Sequence, residues 1–190
     1  MKKSFLREKY KLKRQELLEG ELETCSLKIA NNAISSFNFN NKLISIFLPI
    51  KRFKEIDTYP LISKLKASGA QVCTPVSDFN NLALKHIIFD NNSDVQINKW
   101  GIPEPQNGRE VLPESIDFVF VPLLAVDVFG NRVGYGKGFY DRFLSICPRK
   151  TVFIGLHLFD IEKIIEDANS TDIKMHYIIT PDKVFKSESE

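Results

Sequence analysis

Paired cysteines are missing from this sequence of 190 residues. The three that it has, Cys25, Cys73 and Cys147, are odd in number, lie far apart and form no Cys-x-x-Cys pair. This pattern argues against a disulfide framework and against a zinc site built on cysteine. Because unpaired thiols suit a reducing compartment, we expect a cytoplasmic protein.

Long apolar runs and a strong charge of one sign are also missing. No stretch approaches the length of a membrane span, and no apolar run with a small-residue cleavage site follows the basic N-terminus. Lys and Arg number 26 against 24 Asp and Glu, a net charge of +2 that gives no overall nucleic-acid-binding signature. We therefore expect neither a membrane nor a nucleic acid as partner. We also expect a monomer.

The composition is that of an ordinary globular protein, with 43% hydrophobic and 26% charged residues. No internal repeat, linker or low-complexity block divides the chain. The length suits one domain with a sizeable core, so we predict a single domain over residues 1–186 and a disordered tail over 187–190. The three histidines lack metal-ligand spacing and are expected to be ordinary strand or loop residues.

Apolar periodicity predicts alternating helices and strands. The predicted helices cover residues 2–19, ending at Gly20, and residues 21–37, 58–68, 139–145 and 160–167. The predicted strands cover residues 43–48, 70–73, 82–89, 117–122, 151–156 and 175–180. Residues 100–105 contain two prolines and a glycine, which predict a stiff loop without regular structure. Strand, helix and strand in succession indicate a parallel sheet with crossovers.

Residues 117–122 form the most convincing central strand, because their continuous apolar run indicates cover on both faces. The strand leads into a glycine-rich stretch, residues 132–142. Open α/β sheets bind ligands beyond the carboxyl ends of their strands, so we expect a binding loop here.

The glycine-rich stretch has the features of a phosphate cradle. Its three glycines at alternate positions let several backbone N–H groups turn toward one anion. Arg132, Lys137 and Arg142 supply cationic donors, and Asp141 supplies a carboxylate of the kind that holds Mg²⁺ beside phosphates. The spacing fits neither the P-loop nor the dinucleotide fingerprint. A glycine-rich surface turn would explain the glycines alone, whereas the added charges favour a magnesium nucleotide.

Two further features leave alternatives open. In the predicted first helix Lys3, Arg7, Lys11 and Arg14 fall within about 80° of one another, a basic stripe that either faces phosphates or is solvated. Trp100 suits core packing and a flat wall for a ring-shaped ligand equally well.

At residues 132–142 the sequence resembles the 5-formyltetrahydrofolate cyclo-ligase family, also called 5,10-methenyltetrahydrofolate synthetases. The family signature Arg-x-Gly-x-Gly-x-Gly-Phe/Tyr-Tyr-Asp-Arg is matched without a gap. The resemblance extends over nearly the whole chain. The Lys-x-x-x-Arg element of the family matches Lys3 and Arg7, and its Glu followed two residues later by Asp-Thr matches Glu55, Asp57 and Thr58. The Gly-Ile-Pro-Glu-Pro segment matches residues 101–105, and a final Asp before the last strand matches Asp172.

The resemblance implies an ATP-dependent, Mg²⁺-requiring cyclisation of 5-formyltetrahydrofolate to 5,10-methenyltetrahydrofolate. ADP and phosphate would be released, through a phosphorylated formyl (imino-phosphate) intermediate attacked by N10. It also implies one three-layer α/β/α domain with a mostly parallel sheet, Rossmann-like and NagB/RpiA-like.

The resemblance further assigns site residues. The catalytic residues would be Lys137, Arg142 and Tyr140, and the metal ligands would be Asp141 and Asp172. ATP would be bound by Lys3, Arg7, Arg132, Val133, Gly134, Tyr135, Gly136, Lys137, Gly138, Phe139 and Tyr140. The folate would be bound by Ile50, Glu55, Trp100, Tyr135, Gly136, Lys137, Gly138 and Phe139, with Tyr140 as a further aromatic group of the pocket.

Three alternatives remain at this point. The basic Lys51, Arg52 and Lys54 could meet the glutamate tail of the folate. The cradle could belong to a nucleotide- or phosphoester-binding regulatory module without catalysis, or to a paralogous ligase acting on another carboxamide or phosphate. A regulatory module would need the cradle but not a ring-sized pocket beside it.

Overall fold

The computed structural model describes residues 1–188. Within them the α-helices are α1 (Lys3–Glu16), α2 (Glu19–Ser36), α3 (Tyr59–Ala67) and α4 (Phe139–Ile146). The strands are β1 (Leu43–Ser45), β2 (Gln71–Asp78), β3 (Ala83–Ile88), β4 (Val95–Ile97), β5 (Pro103–Pro105), β6 (Glu110–Val111), β7 (Phe118–Pro122), β8 (Ala125–Val126), β9 (Arg132–Val133), β10 (Val152–Leu156), β11 (Tyr177–Ile179) and β12 (Val184–Lys186). No helix of this described part is both long and apolar enough to cross a membrane.

The main sheet has eight strands in the order β12-β11-β10-β7-β1-β2-β3-β6. Five neighbouring strands, from β11 to β2, run parallel, and the strands outside them pair antiparallel. Strand β7 pairs with β1 on one side and β10 on the other, so Phe118 lies between Ile44 and Val152. The predicted central strand and mostly parallel sheet are confirmed.

Helices cover both faces of the sheet, which confirms the three-layer α/β/α arrangement. Alternate side chains of β7 enter two different cores: Phe120 joins the core under α2 and α3, whereas Val119 and Val121 join the core under α4. Phe120 is fully buried, and burying such a side chain contributes about 1.5–3 kcal/mol.

Helix α1 belongs to a third, smaller core at the carboxyl edge of the parallel strands. Its Leu6 and Tyr10 are buried against Leu124 and Ala125, which follow β7, and against Val133. This packing fixes the first helix beside the hairpin of β8 and β9, where the glycine-rich stretch begins.

The boundary between the first two helices lies earlier in the chain than the sequence predicts. Gly20 is not a stop but lies in the first turn of α2. The backbone N–H of Leu18 donates to the Glu21 carboxylate at 2.9 Å, and this cap starts α2 at Glu19.

The predicted helix over residues 160–167 is wrong. Neighbouring groups satisfy the backbone of this segment instead: Glu162 N–H donates to the Val126 carbonyl at 2.8 Å, and Ile165 N–H donates to the buried Asp127 carboxylate at 2.9 Å. These long-range bonds replace the local ones that a helix needs.

Residues 100–105 are more regular than predicted, because β5 pairs with β4 in a two-stranded hairpin. Proline is tolerated in such an edge strand, where its missing N–H can face away from the partner. At the other end of the chain, Ser187 N–H donates to the His176 carbonyl and Glu188 N–H to the Val128 carbonyl. The last two residues of the predicted tail lie outside the described residues.

Candidate functional site

A cavity of about 500 Å³ opens at the carboxyl edge of the parallel strands. Segments from both ends of the chain contribute to its wall. All but one of the predicted site residues line it: Lys3, Arg7, Ile50, Glu55, Trp100, Arg132, Val133, Gly134, Tyr135, Gly136, Lys137, Gly138, Phe139, Tyr140, Asp141 and Asp172. The predicted site residues, which lie far apart in the sequence, therefore meet at one cavity.

Arg142 is the predicted site residue that does not line the cavity. Its Nε donates to the Leu82 carbonyl at 2.8 Å, and its Nη2 donates to the Lys137 carbonyl at 2.7 Å. These bonds tie the glycine-rich stretch to the turn between β2 and β3. A catalytic role for Arg142 remains a prediction from the resemblance.

The glycine-rich loop takes backbone conformations that favour glycine. Gly136 and Gly138 have φ of 93° and 69°, in the left-handed region. Gly138 is also the N-cap of α4, so the first free N–H groups of that helix lie at the loop. A helix N-terminus carries partial positive charge and attracts phosphate.

The basic stripe of α1 divides into three environments. Lys3 and Arg7 line the cavity, and Arg7 Nε donates to the Gly134 carbonyl at 3.0 Å, so this guanidinium lies against the loop. Lys11 is exposed and pairs with Glu8 at 3.0 Å. Arg14 is buried. The two interpretations of the stripe thus apply to different residues of one helix: Lys3 and Arg7 face the cavity, whereas Lys11 is solvated.

The two predicted metal ligands are held by cations in this structure. Asp141 Oδ1 accepts from Arg132 Nη2 at 2.7 Å and from Ile173 N–H at 3.2 Å. Asp172 forms an ion pair with Lys3. Burial lowers the pKa of the Arg132 guanidinium, and the nearby Asp141 carboxylate offsets this effect.

These carboxylates suit a magnesium ion that arrives with phosphates. The described residues contain no group of three or more His, Cys, Asp or Glu side chains that could hold a metal. Magnesium beside phosphates commonly takes one or two carboxylates and completes its shell with phosphate oxygens and water. Asp141 and Asp172 line one cavity and supply such a donor pair.

Aromatic rings form part of the cavity wall. Trp100 is 42% exposed, so it is a wall residue and not a core residue. Its ring centroid lies 4.9 Å from that of Phe79, which in turn lies 5.3 Å from that of Phe139. Lys137 Nζ lies 4.9 Å from the ring centroids of both Trp100 and Phe79. The cation is thereby held over two faces that carry negative potential.

Glu55 is the buried carboxylate of the cavity, with 5% exposure. Its Oε1 accepts from the Tyr135 hydroxyl and its Oε2 from Ile50 N–H, each at 2.8 Å. Burial raises the pKa of Glu55, and Arg14, Ile50 N–H and the Tyr135 hydroxyl lower it in turn. Such a carboxylate can accept hydrogen bonds from a heterocycle that presents N–H donors.

The basic residues after β1 do not act as a group. Lys54 Nζ donates to the carbonyls of Gln15 and Leu17 at 2.7 and 2.6 Å, which holds it against the segment after α1. Arg52 donates to the Trp100 carbonyl. Lys51 is exposed. Arg52 is likewise exposed and lines the cavity, so the structure leaves Lys51 and Arg52 accessible to an anionic tail.

Among the cavity-lining residues that sequence reasoning missed are two aromatic residues in polar segments. Phe53 stacks on Tyr135 with ring centroids 5.2 Å apart, and Phe79 supports Trp100. Each is an aromatic residue in an otherwise polar segment, and this was the signal that could have found it.

Glu104, from the Gly-Ile-Pro-Glu-Pro segment, is buried and accepts from Ser77 N–H and Asn98 Nδ2, so it joins the β4-β5 hairpin to β2.

The fold and this cavity define an α/β protein with a glycine-rich, cation-flanked loop at the carboxyl edge of a parallel sheet. A sequence profile of the 5-formyltetrahydrofolate cyclo-ligase family matches residues 1–181. The chain therefore belongs to this family of enzymes.

Individual relatives agree with this assignment. A 5-formyltetrahydrofolate cyclo-ligase of Escherichia coli strain K12 is 36% identical over 139 residues, covering 70% of this chain and 75% of that protein. One of Mycoplasma genitalium is 32% identical over 160 residues, covering 81% and 83%. The solved structure of Aquifex aeolicus 5,10-methenyltetrahydrofolate synthetase, 30% identical, covers 100% of this chain and 95% of its own with a TM-score of 0.81.

Proposed function

We propose that the protein converts 5-formyltetrahydrofolate and ATP to 5,10-methenyltetrahydrofolate, ADP and phosphate in the cytoplasm. The observation that carries this proposal is that one cavity joins a glycine-rich, cation-lined loop to a pocket with a buried carboxylate and an aromatic wall. A regulatory module would use the loop alone. The three free cysteines support a reducing compartment.

At the phosphate end, Lys3, Arg7 and the backbone N–H groups of the loop hold the nucleotide. A net hydrogen bond to a charged group contributes about 1.5–3 kcal/mol, so four such contacts supply roughly 6–12 kcal/mol before ordering costs. Micromolar binding needs about 8 kcal/mol. The cations of the cavity are therefore sufficient, and Asp141 and Asp172 would hold Mg²⁺, which neutralises phosphate charge.

At the folate end, Glu55 accepts hydrogen bonds from the amino group and ring N–H of the pterin, while Trp100 and Tyr140 border the ring. The formyl oxygen attacks the γ-phosphorus and ADP leaves. N10 then attacks the formyl carbon, the carbon–oxygen bond breaks and phosphate departs with that oxygen, while the N10 proton passes to phosphate or water. No protein nucleophile is required, so positioning and charge neutralisation carry the catalysis, with Lys137 beside the transferred group.

The test is the absorbance of methenyltetrahydrofolate after purified protein meets 5-formyltetrahydrofolate and MgATP. We expect a rise that disappears when either ATP or Mg²⁺ is left out. If ATP binds in a separate titration but no absorbance develops, the folate assignment is wrong and the regulatory module or another phosphoryl acceptor takes its place.

A further inference from the structure

Arg14 and Glu55 are connected through one hydroxyl group behind the cavity wall. Arg14 Nη1 donates to the Tyr135 hydroxyl at 3.1 Å, and this hydroxyl donates to Glu55 Oε1 at 2.8 Å. Arg14 Nη2 donates to the Leu123 carbonyl at 2.5 Å. Arg14 is 3% exposed and is not among the residues that line the cavity. Arg14 can therefore influence a ligand only through its neighbours.

Burying this guanidinium is costly. Its Nε is buried and has no hydrogen-bond partner among the described residues. An unsatisfied buried donor destabilises a protein, and an apolar side chain of similar size would often be the more stable choice. The charge of Arg14 is therefore poorly explained by packing, and its proximity to a second buried ionisable group, the Glu55 carboxyl, supplies a reason for it.

We propose that Arg14 is a positioning residue for folate recognition, which holds the Glu55 carboxyl through the Tyr135 hydroxyl in the orientation that accepts the pterin N–H donors and favours its charged form. This inference rests on the proposed function. It makes Arg14 of α1 a determinant of affinity for the folate although it touches neither substrate.

The groups that face Glu55 determine the sign of the expected pH effect. They are Arg14 on α1, Tyr135 after β9, Tyr140 on α4 and the backbone N–H of Ile50. Burial raises the pKa of both tyrosines, so neither changes its charge at neutral pH. Burial also raises the pKa of Glu55, and Arg14 is the cation that opposes this effect. Removing Arg14 should move the protonation of Glu55 to higher pH.

The experiment measures the binding of 5-formyltetrahydrofolate calorimetrically, without nucleotide, as a function of pH. For Arg14→Met we expect the dissociation constant to increase about tenfold near pH 6.5, the effect of losing one charge-supported hydrogen bond. The loss of binding on acidification should also begin at higher pH than in the unmodified protein. Lys11→Met removes an exposed charge from the same helix and should leave the profile unchanged.

Two further variants separate positioning from mere stability. Arg14→Lys keeps the positive charge and should restore part of the pH profile, which a purely structural defect would not do. Tyr135→Phe keeps the ring on Phe53 and removes the connecting hydroxyl, so it should shift the profile in the same direction and serves as the test if Arg14→Met does not fold. In a Glu55→Gln background, Arg14→Met should cause no further pH shift.

Binding that loses affinity equally at every pH in Arg14→Met or Tyr135→Phe would overturn the inference, as would a persistent shift in the Glu55→Gln background. Failure of the unmodified protein to bind 5-formyltetrahydrofolate at any pH would instead overturn the proposed function. The two failures are therefore distinguishable in one set of titrations.

Discussion

The Lys3 ammonium forms an ion pair with the Asp172 carboxylate, although 169 positions separate the two residues in the chain. The pair joins the first turn of α1 to the loop before β11, and both residues line the cavity. The positive charge of Lys3 is suited to contact a phosphate, and the negative charge of Asp172 is suited to contact Mg²⁺. Binding of the magnesium nucleotide would therefore replace a bond that the protein makes with itself.

Lys3→Met should weaken the binding of ATP. Removing one charged donor to phosphate is expected to increase the KM for ATP about tenfold or more, while the KM for the folate changes less. Steady-state kinetics at saturating folate measure this effect. Lys2→Met removes an exposed neighbouring charge and serves as the matched control. Equal KM values in the two variants would exclude Lys3 as a phosphate contact.

Lys137→Ala should lower kcat by at least about a hundredfold, because stabilisation of developing charge is usually the largest catalytic contribution. Lys137 is exposed, so the melting temperature should be unchanged. The control is Lys99→Ala, because Lys99 Nζ lies 5.6 Å from the same Trp100 ring but does not line the cavity. Near-normal turnover of folded Lys137→Ala would show that the phosphoryl group is transferred elsewhere in the cavity.

Asp141→Asn should change both metal dependence and stability. The Mg²⁺ concentration for half-maximal turnover should increase, because an amide is a weaker ligand than a carboxylate. The buried Arg132 guanidinium also loses its charged partner, so the free energy of unfolding should fall by about 2 kcal/mol. A magnesium titration and urea unfolding measure the two effects. A fall in stability with an unchanged magnesium titration would assign Asp141 to the ion pair alone.

The stability of the protein should decrease on acidification because of its buried imidazoles. Burial lowers the pKa of His86 from 6.5 to about 3, so between these values the unfolded chain binds a proton that the folded chain does not. Stability from this residue is thus complete above pH 6.5 and is lost as the pH falls, by about 1.4 kcal/mol per unit. His157 has the same sign.

The measurement is urea unfolding of the unmodified protein and His86→Leu between about pH 7.5 and about pH 5. The variant should have the shallower dependence of unfolding free energy on pH. Since His86 does not line the cavity, ATP binding provides a check that the variant is folded. Parallel pH dependences would mean that His86 is protonated in the folded protein.

The sequence predicted those elements whose apolar residues are the ones that the folded structure buries. Strand β7 was recognisable because it is covered on both faces and is therefore apolar throughout. The strands β8 and β9 have two residues each, too few to establish a period. The segment 160–167 has helical apolar spacing, but the Asp127 carboxylate, far away in sequence, accepts from its backbone. Because this acceptor competes with the local carbonyls that a helix would use, the sequence of the segment itself does not show that the helix is absent.

The candidate site was predictable where one short segment contains most of its charge, as in residues 132–142. The distant residues Lys3, Glu55 and Asp172 were located by resemblance, because no spacing in the sequence reports that they meet. The position of Arg14 behind the wall was not predictable, since on the helix it lies on the same stripe as the exposed Lys11. In the structure its burial and the contact of Tyr135 with both Arg14 and Glu55 distinguish it.

The contact between the two ends of the chain also bears on how the protein folds. During synthesis α1 leaves the ribosome ahead of the main sheet, whereas the loop with Asp172 emerges after six of the eight strands of that sheet. A contact of such long sequence separation forms only after the loop entropy between its ends has been overcome, so it belongs to the late stages of folding. We therefore expect the protein to gain its affinity for the nucleotide in the last stage of folding. Nucleotide binding would then report that the chain has folded completely.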